Sequence, residues 1–416
     1  MTRFAALVLV GIAGFHLAEG ASPLHFLWTA PLVILAAFLI AWGAEAAQFM
    51  ISQGLALAIL AWLQTLPEFA VEADIAWNAA RDPTGEGNAL MTANFTGSIR
   101  LLMGFGMPVV YLIHALSRRG KSRRSIDLDR FHSVEVVSLF PPVLYFFFII
   151  YRGRLDVWLD SVVLLSFYLM YFWLLLKMPP EREGESSESL PPVTRAILRR
   201  GPAGRMAGIA LVFLVGGAVL YACVHPFVES LKSLGALVGI GGYFFVQWIA
   251  PFLSEFPEKV SAFNWARREG KAKIGLMNFL SSNLNQMTML VAMLPIVYSI
   301  SSGGVRPVLF DEHQRSEILL TGCQAALCMV LLFNMKFEWW DAAGMFLLFV
   351  VQFLSPAWVE LVKPVFPDLT THGVRHAMVW VYLGWIVLEI LLAMFSVRRW
   401  SFPLRLRRSH QPDRRA

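Results

Sequence analysis

The chain is poor in charge. Only 15% of its 416 residues are Asp, Glu, Lys or Arg, and 57% are hydrophobic, against roughly 25% and 45–50% in soluble globular proteins. A soluble body of this size needs charge to cover its surface, so an ordinary cytosolic enzyme is excluded, as are a disordered chain and a fibrous repeat. Cysteine is equally scarce. Cys223, Cys323 and Cys328 lie in apolar stretches with no CxxC pair, which removes a disulfide framework and a zinc site. No HExxH, Gly-x-Ser-x-Gly or P-loop pattern occurs. Only His372 and His376 among the histidines have helical i, i+4 spacing, and they lack the intervening Glu of a metalloprotease. A membrane enzyme therefore has no motif to rest on.

What the chain has is long apolar blocks, many near the ~20 residues that cross a bilayer, and a mean hydropathy of +0.58. The fold class is all-α polytopic membrane protein. The first block, Ala5 to Ala18, reads as a short span, with a cleaved signal peptide as the alternative because small residues at Ala18 and Ala21 stand at cleavage distance. Further spans are expected at 24–43, 54–78, 89–115, 132–151, 156–176, 206–228, 236–265, 274–300, 315–334, 339–360 and 374–396, which makes twelve.

The net charge of +6 reads as topology, with nucleic-acid binding the weaker explanation. Counting spans from a cytoplasmic N-terminus puts four basic segments inside. These are Arg118–Arg124, the 177–205 loop, Arg267–Lys273 and the tail from Arg398, while 80–88 and 362–373 fall outside with far less charge. Both termini are then cytoplasmic, and the plasma (inner) membrane is the expected location. The 177–205 loop, with Pro179-Pro180, an acidic Ser-rich stretch and Pro191-Pro192, has the composition of a disordered linker between two membrane halves.

Those halves resemble each other. Leu60 to Phe69 reads LAWLQTLPEF and Ala250 to Lys259 reads APFLSEFPEK, each placing a polar pair, one apolar residue and then Pro-Glu deep in a span. Each is followed by a second polar patch, Asn94-Phe-Thr-Gly-Ser98 in the first half and Asn278-Phe-Leu-Ser-Ser282 in the second. The loop joining the first pair of motifs falls outside and the loop joining the second falls inside, so the repeats are inverted. Inverted repeats with interrupted helices build secondary transporters, with the site at the midplane.

The residue types indicate a cation. Proline in a span displaces the carbonyl four residues earlier, which would free Leu63 and Leu253 toward a cavity. Glu68 and Glu258 follow at once, and a carboxylate at membrane depth costs at least ~2.5 kcal/mol on insertion scales. The two are expected to face each other across a centre completed by oxygens of Thr65, Ser254, Ser98, Ser282, Asn94 and Asn278. Hard oxygen ligands suit Ca²⁺, Na⁺ or H⁺ and disfavour zinc or copper. Glu45, Glu72, Asp74 and Glu389 are weaker leads, read as buried hydrogen-bonded or interface groups. The run Tyr145 to Phe148 reads as lipid-facing packing.

At these residues the chain resembles the cation/calcium exchanger superfamily, which includes the sodium/calcium exchangers. Thr65 to Glu68 and Ser254 to Glu258 are similar to that family's Gly-Thr-Ser-x-Pro-Glu core. The two Asn-Phe patches are similar to its Gly-Asn-x-x-Gly-Ser segment, and Gly43 to Ala46 to its Gly-Ala-Asp segment. The resemblance covers roughly 24–360. It implies two inverted five-helix repeats, ten core spans in all, with one extra span at each end and a cytoplasmic central loop. The division is then 1–23 for the first span or signal, 24–176 and 206–360 for the repeats, 177–205 for the linker, and 361–416 for the extra span and basic tail. It also implies a secondary active antiporter, not an enzyme, exchanging Ca²⁺ for Na⁺ or H⁺ by alternating access, with Glu68 and Glu258 as central metal ligands.

The departures from the family pattern are specific. The second core carries an extra acid, Glu255, and the positions downstream read Ile99 and Leu102 in one repeat, Asn283 and Gln286 in the other. Gln286 joins the candidate ligands. Arg100 lies two residues past Ser98 inside a span, read either as snorkelling or tying down a neighbouring acid, or as an internal cation or gate, offsetting Glu255 or Glu68 in place of one counter-ion. The sodium positions are thus incomplete, and proton coupling is open, since a close trio of Glu68, Glu255 and Glu258 is expected to hold a proton. A sodium/proton exchanger and a transport-inactive sensor or scaffold are the competing readings. No cofactor is expected beyond the transported ion. The expected partners are the bilayer and small inorganic cations, with no nucleic acid and the oligomeric state open.

Overall fold

The computed structural model describes residues 22–49, 65–82, 86–117, 124–129, 133–177, 190–239 and 241–395. The first block, the carbonyl of Leu63 and the tail from Arg398 lie outside the described residues. Helices occupy each expected span that the described residues reach.

In the first half, α1 (Phe26–Gln48) is followed by α2 (Leu66–Ala79). The third span is continuous through α3 (Glu86–Leu101), a π-helical turn at Leu102–Gly106 and α4 (Met107–Leu116). Then come α5 (Ser133–Ser138), α6 (Phe140–Arg152) and α7 (Val162–Leu176). A short α8 (Pro192–Leu198) leads into the second half.

That half opens with α9 (Pro202–Val238), whose 37 residues span roughly 55 Å at the α-helical rise. The next span is broken into α10 (Gly242–Ser254) and α11 (Phe256–Arg267). The following one runs through α12 (Ala272–Asn285), a π-helical turn at Gln286–Leu290 and α13 (Val291–Ser301). Then α14 (Glu312–Leu332) begins in a capping box of Asp311 with Gln314. α15 (Trp339–Phe353) and α16 (Ser355–Val362) meet at a 66° bend, and α17 (Thr371–Met394) closes the described chain. Eight of these helices or helix runs are long and apolar enough to cross a bilayer, and the bent pair makes a ninth.

The repeat is visible in backbone detail. In each half the π-helical turn starts eight residues after the motif asparagine, at Leu102 after Asn94 and at Gln286 after Asn278. Two small antiparallel ribbons repeat the symmetry. β1 (Ser125–Asp127) pairs with β4 (Lys336–Glu338), and β2 (Arg154–Leu155) with β3 (Val308–Leu309). Each ribbon joins a loop of one half to a loop of the other. Inversion carries β1 onto β3 and β2 onto β4, so the ribbons are images of one another.

Helices α1 and α9 pack along each other over small residues. A side chain at Gly216 would press on Ile40, the Ala36 carbonyl and Leu39, and one at Gly43 on Phe213, the kind of close approach by which membrane helices associate. At the centre, α3 and α10 approach backbone to backbone, because a Cβ on Gly97 would fall 1.8 Å from the Gln247 carbonyl oxygen.

Two expectations are corrected. The stretch taken as a disordered linker is helical from Pro192. Thr194 of α8 is buried and hydrogen-bonds Glu45 Oε2 at 3.1 Å and the Trp42 carbonyl at 3.4 Å, while Ile197 packs with Ala46 and Ile209. Proline at the first helical position and apolar residues one turn apart outweigh the polar composition. The aromatic run of α6 is also not simply lipid-facing. Phe146 is in the core, and the Tyr145 hydroxyl donates to buried Asp160 at 2.6 Å, beside Arg152, which pairs with the same carboxylate at 2.8 Å.

Candidate cation-binding site

The site is made where two helices start. Pro67 and Pro257 stand in the first turns of α2 and α11, where a missing N–H costs nothing and the fixed φ suits the helix. The prolines therefore begin new half-helices. In the second half α10 ends at Ser254, and Glu255 turns the corner with φ −95° and ψ 10°. The Leu253 carbonyl, which Pro257 leaves without its usual donor, is approached by the Glu255 N–H. Glu68 and Glu258 thus occupy the first turn of a helix, where the dipole favours negative charge. Both are buried, 1% and 5% exposed.

Facing helices supply their partners. Glu68 Oε1 accepts from Asn94 Nδ2 at 3.0 Å, and Glu258 Oε1 accepts from Asn278 Nδ2 at 3.1 Å. The Glu–Asn pair is therefore repeated. The second oxygens differ: Glu258 Oε2 accepts from Ser282 of its own half at 3.0 Å, whereas Glu68 Oε2 accepts from the Ser254 hydroxyl of the other half. Further bonds cross between the repeats. Asn285 Nδ2 donates to Thr65 Oγ1 at 2.5 Å, Gln286 Nε2 donates to Ser98 Oγ at 2.6 Å, and Ser98 and Gln286 both donate to Glu255 Oε1. The ten residues expected from the motifs fall into four hydrogen-bonded groups: Glu68 with Asn94 and Ser254, Glu255 with Ser98 and Gln286, Glu258 with Asn278 and Ser282, and Thr65 with Asn285.

Two members, Asn285 and Lys259, were missed from sequence, and Glu72 was read there only as a buried hydrogen-bonded or interface group. Glu72, one turn beyond Glu68, is fully buried and its Oε2 accepts from Asn94; its i, i+4 spacing from Glu68 was the available signal. Asn285 lies one residue before Gln286 on α12. Lys259, 1% exposed, places Nζ 2.6 Å from Glu255 Oε2 and 3.4 Å from the Pro251 carbonyl.

Several buried amide and carboxylate oxygens on these helices are unsatisfied. Glu72 Oε1, Asn94 Oδ1, Asn283 Oδ1, Asn285 Oδ1 and Gln286 Oε1 are buried and have no donor among the described residues. Buried acceptors without donors are costly, and a cation relieves that cost. Among the described residues no three His, Cys, Asp or Glu side chains gather closely enough for one metal ion. A divalent ion held here would therefore draw on amide and hydroxyl oxygens beside the carboxylates, as hard cations do.

The model of the family described as sodium/calcium exchanger protein matches residues 21–177 and 208–355, one match for each half. The chain belongs to this family. Among solved structures it is similar to an H⁺/Ca²⁺ exchanger, CAX, at 29% identity over 97% of this chain and 95% of that one, with a TM-score of 0.83. It shares its fold with native YfkE at 15% identity, covering 85% of this chain and 97% of that one, with a TM-score of 0.60. It shares it also with the sodium-calcium exchanger NCX_Mj at 16% identity, covering 80% and 97%, with a TM-score of 0.50. No curated protein matches the chain. It is a multi-pass membrane protein, as the family and its apolar helices show.

Of the readings of Arg100, the one in which it ties down a neighbouring acid fits its position, with Glu317 as that acid, and the internal-cation reading does not. Arg100 does not offset Glu255 or Glu68. The 3.6-residue period of α3 turns it away from Ser98, and its Nη2 pairs with Glu317 of α14 at 2.5 Å. Glu317 also pairs with Arg375 of α17 at 2.9 Å and accepts from Gln247 at 3.2 Å. Arg100 further donates to Gln352 and the Thr96 carbonyl, each at 3.2 Å, and lies 5.0 Å from the Trp248 ring. A cavity of about 240 Å³ opens beside this cluster, lined among others by Tyr243, Trp248, His313 and Arg375. None of the Glu68, Glu255 or Glu258 side chains lines it.

Proposed function

We propose that the chain is a secondary active antiporter that moves Ca²⁺ against protons by alternating access, with the motif glutamates as the shared carriers. The observation that carries this reading is that Glu72 Oε1, Asn94 Oδ1, Asn285 Oδ1 and Gln286 Oε1, on residues hydrogen-bonded among the motif side chains, are buried without a donor among the described residues. The hydrogen-bonded arrangement suits the calcium-free state. Asn94 and Asn278 direct N–H groups at the carboxylates, and Ser254 and Ser282 direct hydroxyls. For Ca²⁺ to enter, each hydroxyl turns a lone pair inward, each amide offers its oxygen, and the carboxylates give up any proton they hold. Ion and proton thereby exclude one another at the same oxygens, which is the chemical requirement for antiport.

The closely packed α1 and α9 form the natural moving unit, rocking against the bundle that holds α3, α10 and α12. Proton rather than sodium coupling is supported by Ile99 and Leu102, which put hydrocarbon where the second repeat has Asn283 and Gln286. Similarity to the H⁺/Ca²⁺ exchanger points the same way. The basic segments 118–124 and 267–273 support a cytoplasmic position for the side that carries them and for both termini, with the plasma membrane as the proposed host.

The test is radioactive Ca²⁺ uptake into proteoliposomes under an imposed pH gradient or an imposed sodium gradient, for wild type and Glu258→Gln. Uptake that follows the pH gradient and is lost in the variant is expected. Uptake driven only by sodium would replace the coupling ion. No uptake under either gradient, from folded and inserted protein, would reject calcium transport and leave sodium/proton exchange or a non-transporting role.

A further inference from the structure

We infer that Lys259 is a built-in counter-cation. Its ammonium fills a subsite in which a free monovalent ion would otherwise sit, so this chain binds no Na⁺ there. The inference rests on the antiporter reading above and adds to it the reason for sodium independence.

The chemistry around Nζ is that of a cation site. Glu255 Oε2 lies at 2.6 Å and the Pro251 carbonyl at 3.4 Å. Pro251 belongs to the last turn of α10, so its carbonyl is at the negative end of a half-helix. A carboxylate plus the carbonyl end of a broken helix is the donor set with which interrupted-helix transporters hold monovalent cations. The Phe252 ring, 5.7 Å from Nζ, offers its face to the same charge.

The repeat supplies the control. Inversion maps Glu255 onto Thr65 and Lys259 onto Phe69. Acid and base are thus both present in the second half and both absent from the first. The pair adds no net charge to the centre, and Glu68, Glu72 and Glu258 remain as its uncompensated acids. An acid alone at 255 would have opened a place for a free cation. Lysine one turn later occupies it, and the other Glu255 oxygen is already taken by Ser98 and Gln286. A side chain 1% exposed and held between Glu255 and the Pro251 carbonyl is fixed in position.

The experiment reads sodium binding without transport. The melting temperature of the full chain in detergent is followed as NaCl replaces choline chloride at constant ionic strength. The proteins are wild type, Lys259→Ala, Lys259→Gln and the double variant Glu255→Gln/Lys259→Gln. Wild type and the double variant are expected to stay flat, and the single Lys259 variants to gain a sodium-dependent rise of roughly 2 °C or more. A sodium-dependent rise in wild type overturns the inference whatever the variants do. A flat response from a folded single variant overturns it as well. Calcium uptake by wild type tests the antiporter reading separately, so failure of one is distinguishable from failure of the other.

Discussion

The Ser254 hydroxyl at the end of α10 donates to Glu68 at the start of α2, so a carboxylate of one repeat is completed by the helix break of the other. This bond makes the two halves a single site. Glu258, by contrast, takes both its donors from its own half. If the halves separate on one side of the membrane during the cycle, Glu68 is the carboxylate whose surroundings change.

Glu68→Gln and Glu258→Gln should each abolish Ca²⁺ uptake. Loss of a partner that only orients a metal ligand costs 10–100-fold, so loss of a ligand should lower uptake by more than roughly 100-fold. Both variants should remain monodisperse in detergent, since glutamine can keep the hydrogen bonds from Asn94 and Asn278. Ser254→Ala removes only the crossing donor and should cost less than either. Initial uptake rates in proteoliposomes, normalised to inserted protein, check all three.

Gly97→Ala should destabilise the protein, chiefly by a clash with backbone. The new methyl would lie 1.8 Å from the Gln247 carbonyl oxygen, which α10 holds in place. Overpacking costs of about 1–3 kcal/mol are usual, and a clash with backbone belongs at the upper end of that range. A lower melting temperature in detergent is expected, with Gly304→Ala, which meets nothing within 4 Å, as the neutral control.

The Pro-Glu and Asn-Phe repeats were legible because two copies of an expensive pattern, a carboxylate after proline inside an apolar run, do not arise from packing. A shared centre was the expectation too, since two inverted copies of one motif would face each other. The ion pairs were not legible. Arg100 finds its acid on α14, 217 residues away, and nothing local to Arg100 names Glu317. Reading it as the site's internal cation followed sequence proximity to Ser98, and a turn of two residues on a helix is enough to reverse direction. Lys259 stood at i, i+4 from Glu255, an interval that marks a salt bridge on a continuous helix. The proline between them obscured it, because whether the helix resumes in register after the break is a property of the fold.

Arg100, Glu317 and Arg375 should behave as a structural knot. Glu317→Gln leaves two guanidinium groups facing each other in a buried setting, and breaking such a pair costs about 3–5 kcal/mol. Arg100→Met/Glu317→Met should recover part of that loss, because replacing both partners removes the stranded charge. If Arg100 holds α3 against α14 and takes no part in ion binding, the double variant keeps wild-type Ca²⁺ affinity while its melting temperature changes. Calcium titration of detergent-solubilised protein, run beside thermal melts, separates the two effects.

Proton competition gives the last prediction its sign. Protons and Ca²⁺ are proposed to share the oxygens of Glu68 and Glu258, so binding Ca²⁺ must release whatever protons those groups hold. By linkage, each proton released weakens the apparent Ca²⁺ affinity by roughly one decade for every unit of acidification below the range where the carboxylates ionise. Two carriers acting together should give a slope steeper than one. In either single Gln variant the ionisable partner is gone, and whatever Ca²⁺ binding survives should show a shallower slope than wild type. Calcium titrations at a series of pH values, with ionic strength held constant, measure both slopes. A wild-type affinity that is flat with pH would mean that proton and calcium do not meet at these residues, and the coupling would have to pass through another group.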